Sequence, residues 1–306
     1  MKLQARIQFI MKHFLFSIFL VCSMPAFSQN GILVFQTDFG LKDGAVSAMK
    51  GVAMGVDKKL QLFDVTHEIP AYNIWEAALR LEQAAAYWPK GTVFVSVVDP
   101  GVGSQRKSVV LQTRNGYYFV TPDNGTLTFV AQSMGIKAIR EIDETLNRLP
   151  GSAQSYTFHG RDVYAYTGAR LAAGKIKFEQ AGRLLPPKVE SIPYQKAVWE
   201  NGIIKGNIPI LDIQYGNVWS NIGTDLLNKA GISIGDSVKV AIYKTNEQLY
   251  EGSILYAATF SAVAEGKPVA YLNSLLQFSV ALNMQNFAEQ YKIGSGPEYH
   301  IRISKL

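Results

Sequence analysis

Between Ile32 and about Gly174 the chain alternates short apolar runs with amphipathic stretches, and this alternation limits the possible folds more than any other feature. Ile32–Thr37 and residues 61–65 and 92–98 are too short for helices. They are apolar on successive positions, as strands buried on both faces are. Ala45–Val56 and a stretch from residue 73 to before Pro89 read as helices, with Asn73 and Glu76 spaced as an N-cap and its partner. A further helix over 161–173 stops at Gly174, a suitable C-cap. Strands alternating with helices predict an α/β domain with a mainly parallel central sheet.

The pattern changes after residue 184. Pro186, Pro187 and Pro193 fall in a segment without periodicity, so the linker is placed there. Beyond it, short strands are expected over 203–213, 236–243, 248–257, 268–273 and 299–303, with one helical stretch over 276–291. Short strands separated by turn residues predict a smaller antiparallel β-barrel domain. The expected division is 1–28 as a signal peptide, 29–186 as the N-terminal α/β domain and 187–306 as the C-terminal β-barrel domain.

The first segment carries Lys2, Arg6 and Lys12 with no acid, then an apolar run over 14–22, then Ala26 and Ser28 before Gln29. That order is the pattern of a secretory signal, and the run is too short to cross a bilayer as a helix. Met11 is an alternative start. The expectation is a secreted or periplasmic protein with no membrane span after signal removal. Without the segment, 27 basic residues against 24 acidic ones leave a formal charge of +3 instead of +6. No basic run with interleaved aromatics remains, which argues against nucleic acid as a partner. Cys22, the single cysteine, lies in the signal, so neither a disulfide nor a thiol nucleophile is expected.

Polar, glycine-marked loops close the predicted strands: TDFG at 37–40, DPGVG at 99–103 and TPDNG at 121–125. Ligands of open parallel sheets bind outside the carboxyl ends of the strands. One such loop is most simply a turn, whereas three on neighbouring strand ends point to a site. His159 in TFHGRD is open to three readings: a catalytic group, a metal ligand or a partly buried histidine. His67 and His300 lack metal-ligand spacing to it, which disfavours zinc. His67 reads as structural, holding the loop after the second strand. No G-x-G-x-x-G, no GK[ST] and no G-x-S-x-G motif is present. In the second domain, DIQYGNVWSN at 212–221 concentrates aromatics, amides and an acid, suiting either a purine site or a polar turn over packed aromatics.

Taken in order, TDFG, VTHEIP, VVDPGVGSQR, TPDNG, TFHGRD and DxxYGNVWSN resemble the S-adenosyl-L-methionine hydroxide adenosyltransferases, the water-using relatives of the fluorinases. The resemblance runs from about Gly31 to near Ile303. It implies an α/β domain, a β-barrel domain and a homotrimer whose ligand lies between one subunit's N-terminal domain and a neighbour's C-terminal domain. It also implies that Asp99, Arg106 and His159 hold and activate a water. Asp38 matches the acid on the ribose hydroxyls, and Tyr215 and Asn217 the adenine aromatic and amide. Asp212 matches the acid on the methionine ammonium, Ser274 a serine near the methionine carboxylate, and Asn124 a site-lining residue. Leu275 stands where relatives can carry arginine, and Leu276 where glycine is common. The implied reaction is hydrolysis of S-adenosyl-L-methionine to adenosine and L-methionine, with that molecule as substrate and neither cofactor nor metal. The alternatives are a non-catalytic exported nucleoside-binding protein and a hydrolase of another 5′-activated nucleoside. A metal-dependent phosphoesterase is disfavoured because no metal ligands cluster.

Overall fold

A computed structural model describes residues 29–306. The expected signal segment, and with it Met11 and Cys22, lies outside the described residues. Among the described residues no helix is long and apolar enough to cross a membrane.

The N-terminal sheet is built from β1 (Ile32–Thr37), β2 (Gln61–Thr66), β3 (Val93–Val97), β4 (Ser108–Thr113), β5 (Tyr118–Pro122), β6 (Ile136–Glu141) and β7 (Leu184–Leu185), in the order β2-β1-β3-β5-β4-β6-β7. Alternation along each strand explains its two buried faces. Leu33, Phe35, Val93 and Val95 face Met49 and Ala53 of α1 (Ala45–Val56). Val34, Phe94 and Phe119 face Leu81 of α2 (Ile74–Ala85) and Val130 of α3 (Thr128–Met134). Asn73 caps α2 as expected, its Oδ1 accepting the N–H of Glu76 at 2.9 Å.

The expectation of a mainly parallel sheet requires correction. β2, β1, β3 and β5 run parallel, but β4 pairs antiparallel with both β5 and β6, and β6 with β7. The sheet is therefore mixed. The cause is local: Asn115-Gly116 joins β4 to β5, with Gly116 at φ 92, and a short turn of this composition makes a hairpin where a crossover would make a parallel pair.

Next come the short helix α4 (Glu144–Asn147) and a π-helical turn, Gly160–Ala165, that continues as α5 (Tyr166–Ala172). Gly168 sits where this helix crosses β3: a Cβ there would come within 2.4 Å of Val95 Cγ2. The absent side chain lets helix and sheet touch.

The second sheet holds β8 (Val198–Glu200), β9 (Ile203–Ile208), β10 (Ile210–Asp212), β11 (Asn217–Gly223), β12 (Ser237–Lys244), β13 (Glu247–Tyr256), β14 (Pro268–Leu272), β15 (Gln277–Leu282) and β16 (Gly296–Lys305). Its order is β10-β11-β15-β14-β13-β12-β16-β9-β8, and only β13 and β14 pair parallel. Among the described residues no closed barrel forms, which corrects the second expectation. The sheet curls until β9 faces β11, but the approach is bridged by a side chain: Asn221 Oδ1 accepts the backbone N–H of Asn207 at 2.8 Å. The helix expected over 276–291 is instead strand β15 followed by the single turn α6 (Phe287–Gln290). Residues 277–282 pack against β14 on one side and β11 on the other, and this pairing outweighs local helical periodicity.

The two halves are docked. Trp75 Nε1 donates to the Pro209 carbonyl at 2.7 Å and Arg80 to the Leu211 carbonyl at 3.0 Å. The connecting segment is pinned by Asp123 and Thr128, which accept the N–H groups of Glu190 and Ile192.

Candidate active site

The carboxyl ends of β1 and β3 open onto a cavity of about 240 Å³, whose wall includes Asp38, Phe39, Tyr72, Asp99, Phe158 and His159. Parallel strands bring the TDFG and DPGVG loops side by side there, and the turn before the π-helix delivers His159. Asp38 is oriented by the backbone: its Oδ2 accepts the N–H of Tyr72 at 2.8 Å. The same loop is held from behind by His67, whose carbonyl accepts from Gly40 and whose Nδ1 meets Thr37 Oγ1, both at 2.8 Å.

Asp99 and Arg106 form a two-point pair. Arg106 Nε donates to Asp99 Oδ1 at 2.8 Å and Nη2 to Oδ2, while Nη1 donates to Ser108 Oγ at 3.0 Å. Ser108 in turn meets Tyr164 Oη at 3.1 Å. Burial alone would lower the Arg106 pKa, but the bonds to Asp99 outweigh it and hold the guanidinium charged above its ordinary range. Burial pushes the Tyr164 phenol far up, so it stays neutral. Arg106 does not itself line the cavity; it reaches it through Asp99.

His159 is buried, with Nε2 3.1 Å from Arg148 Nη2 and 3.6 Å from Glu144 Oε2. His159 and then Arg148 face the Glu144 carboxyl and hold it at about 2 against the raising effect of burial; at 2.5 Å Arg148 is its hydrogen-bond donor, and the His159 ring, at 3.6 Å, is a neighbour only. Among the described residues no group of three or more His, Cys, Asp or Glu is arranged to hold a metal ion.

A second cavity, of about 800 Å³, lies wholly in the C-terminal half and includes Asp212, Tyr215, Asn217, Trp219, Tyr271 and Ser274. It shares no lining residue with the first. The loop from β10 to β11 turns at Gly216 (φ 68), where a Cβ would strike Asn286 Oδ1. Asn217 Nδ2 donates to Asp212 Oδ2 at 3.2 Å, and Trp219 Nε1 to Tyr271 Oη at 3.2 Å. Burial raises the Tyr271 hydroxyl to about 12.

Of the residues singled out from the sequence, Asp38, Asp99 and His159 therefore meet at one cavity with Arg106 behind Asp99, and Asp212, Tyr215, Asn217 and Ser274 meet at the other. Asn124 lines neither: its Nδ2 donates to the Val98 carbonyl at 2.9 Å and its Oδ1 accepts from Thr126. Leu276 adopts φ 58, the left-handed region in which glycine is favoured. Glu144, Arg148 and Tyr164 were not visible as site residues, and Glu144 and Arg148 read as an ordinary i,i+4 helical pair. Asn273 was also missed; its buried Nδ2, without a protein partner, belongs to a residue lining the second cavity.

The chain matches the family models for the SAM hydroxide adenosyltransferase N-terminal domain over residues 33–182 and C-terminal domain over residues 206–300. It is 46% identical over 144 residues to the (R)-S-adenosyl-L-methionine hydrolase of Methanocaldococcus jannaschii, a match covering 46% of this chain and about half (52%) of that protein. It is 31% identical over 271 residues to the hydrolase of the same name from Salinispora tropica, covering 88% of this chain and 96% of the relative. A fluorinase of Actinopolyspora mzabensis is 28% identical over 298 residues, covering 89% and 97%. With matching models across both halves, the chain belongs to the SAM hydroxide adenosyltransferase family of enzymes.

Proposed function

We propose that this protein hydrolyses S-adenosyl-L-methionine to adenosine and L-methionine by attack of water at ribose C5′. The observation that carries the reading is one cavity walled by Asp38, by an Asp99 carboxylate fixed by Arg106, and by a buried His159. The sulfonium is already a good leaving group, so sulfur needs no general acid. The site has to hold a water in line with C5′ while excluding other geometries, and positioning of this kind supplies much of a rate enhancement. Asp38 suits the two ribose hydroxyls as an acceptor. Asp99 orients the water and takes its proton as the C–O bond forms. Arg106 keeps that carboxylate in place and offsets its charge.

The second cavity provides what an adenine and an amino acid require: aromatic faces, the Asn217 amide and the Asp212 carboxylate. Large apolar residues stand exposed at both rims, with Tyr72 at 72%, Tyr215 at 66% and Met284 at 83%. Exposed apolar rims mark surfaces that another molecule covers. We read them as the two sides of a shared site, so that the working form is a homotrimer with each ligand between one copy's N-terminal and another's C-terminal half. No cofactor is assigned to the reaction. Export from the cytoplasm follows from the pattern of the first 28 residues, and N-terminal sequencing of exported protein should find Gln29 near the start.

The test is S-adenosyl-L-methionine incubated with the purified protein in oxygen-18 water, with chelator present. Adenosine labelled at the 5′ oxygen is expected. Unlabelled adenosine, or a 5′-halogenated nucleoside on adding fluoride or chloride, overturns the reading. Light scattering should give a trimer, and an active monomer would remove the shared site.

A further inference from the structure

The wall of the first cavity that carries His159 is backed by two residues absent from every loop motif. Arg148 Nη2 lies 3.1 Å from His159 Nε2 and 2.5 Å from Glu144 Oε2. Its guanidinium packs 4.7 Å above the Tyr156 ring, with a side chain only 8% exposed. A guanidinium offers donors and no acceptor, so the ring nitrogen facing it presents a lone pair. Glu144, at 3.6 Å, lies beyond hydrogen-bond reach of that nitrogen, and the direct bond belongs to Arg148. A neutral imidazole that accepts at Nε2 carries its proton at Nδ1. That Nδ1 is buried without a protein partner, on a ring that lines the cavity.

We propose that the Glu144–Arg148 pair is a positioning device that fixes His159 as its Nδ1–H tautomer, so that the ring has no free lone pair and His159 does not act as the base. Glu144 anchors the device from one turn of helix away, paired with Arg148 while that guanidinium faces the ring. The inference rests on the hydrolytic reading above and divides the labour within it. With Nε2 taken by Arg148 and Nδ1 protonated, the ring offers the water no acceptor, and Asp99 is the base that remains. As the O–C5′ bond forms, the C5′–S bond breaks with its electron pair going to sulfur, and the water proton passes to Asp99. Arg148 and Glu144 touch neither water nor nucleoside in this scheme.

Nitrogen-15 NMR of the full protein without substrate reads the tautomer directly, with the His159 signals assigned by their loss in His159→Gln. The expected spectrum has a protonated Nδ1 and an unprotonated Nε2. Arg148→Met should move the ring toward Nε2–H and lower kcat by about tenfold to a hundredfold, with KM within about twofold. Arg148→Lys, which still donates, should keep Nδ1–H and recover part of kcat. Glu144→Gln should cost less than Arg148→Met. An Nε2–H ring in the unaltered protein, or an unchanged ring and kcat in a folded Arg148→Met, overturns the proposal. The spectrum needs no turnover, so a protein that leaves S-adenosyl-L-methionine intact refutes the functional reading while the tautomer is still measured.

Discussion

The two cavities differ in how their charged groups are held. In the N-terminal cavity each acid or base is clamped: Asp99 by two bonds from Arg106, Asp38 by the Tyr72 backbone, His159 by Arg148. The C-terminal cavity is larger and more aromatic. Asn217 bonds Asp212 at 3.2 Å, and Asn273, whose Oδ1 accepts two backbone N–H groups, keeps its Nδ2 without a protein partner. Groups that must meet a reacting atom lose rate with small displacements, so they repay rigid support from a second layer. Groups that recognise a purine or an amino acid can form their bonds when the ligand arrives. On the function proposed above, reaction and recognition would have different structural signatures within one chain.

That contrast is broken most directly at Arg106. Arg106→Ala removes both bonds to Asp99 and leaves its carboxylate, 5% exposed, without a counter-charge. Turnover should fall by about 10² to 10³, with a stability loss of about 3–5 kcal/mol. Steady-state kinetics and thermal melting check both, and a near-normal kcat would show that the clamp is not part of the chemistry. On the other side, Tyr215→Ala and Asn217→Ala should raise KM about tenfold with kcat little changed, because they remove binding shared by ground and transition states. A collapsed kcat at unchanged affinity would assign these residues to the reaction and erase the division.

Two smaller effects sharpen the comparison by testing the scaffold of the clamped side. Gly168→Ala forces a Cβ toward Val95 and should destabilise by about 1–3 kcal/mol, measured by urea unfolding. Survivors should bind ligand at the second cavity normally. Glu144 supplies the smallest effect. Its carboxyl is held at about 2 against an ordinary 4.5, so it contributes stability that is complete above about 4.5 and lost as pH falls toward 2. Glu144→Gln should therefore flatten the acid limb of the stability curve in that window. Acid titrations that superimpose on those of the unaltered protein would remove Glu144 from the network.

Much of this was legible in the sequence because it is local. The extent of α1, the Asn73 cap, the left-handed Gly174 one residue past the Ala173 C-cap, and the polar loops closing β1 and β3 all depend on residues within a few positions of one another. The ordered loop motifs also separated one set of residues for the first cavity from another for the second. Other features were decided by partners far along the chain. Residues 277–282 have a periodicity compatible with helix and become strand because β11 and β14 flank them. β4 turns the sheet antiparallel through a hairpin whose Asn-Gly signal is short beside the strand–helix alternation around it. Asn124 sits in a site-like motif, yet its amide is consumed by the Val98 carbonyl that folding brings beneath it. Arg148 and His159 are eleven residues apart, and only the turn between α4 and the π-helix sets guanidinium against imidazole. Spacing determines which residue types reach a strand end, whereas the partner of each side chain, and so the tautomer, charge and freedom it keeps, depends on the packing of segments that are not neighbours in sequence.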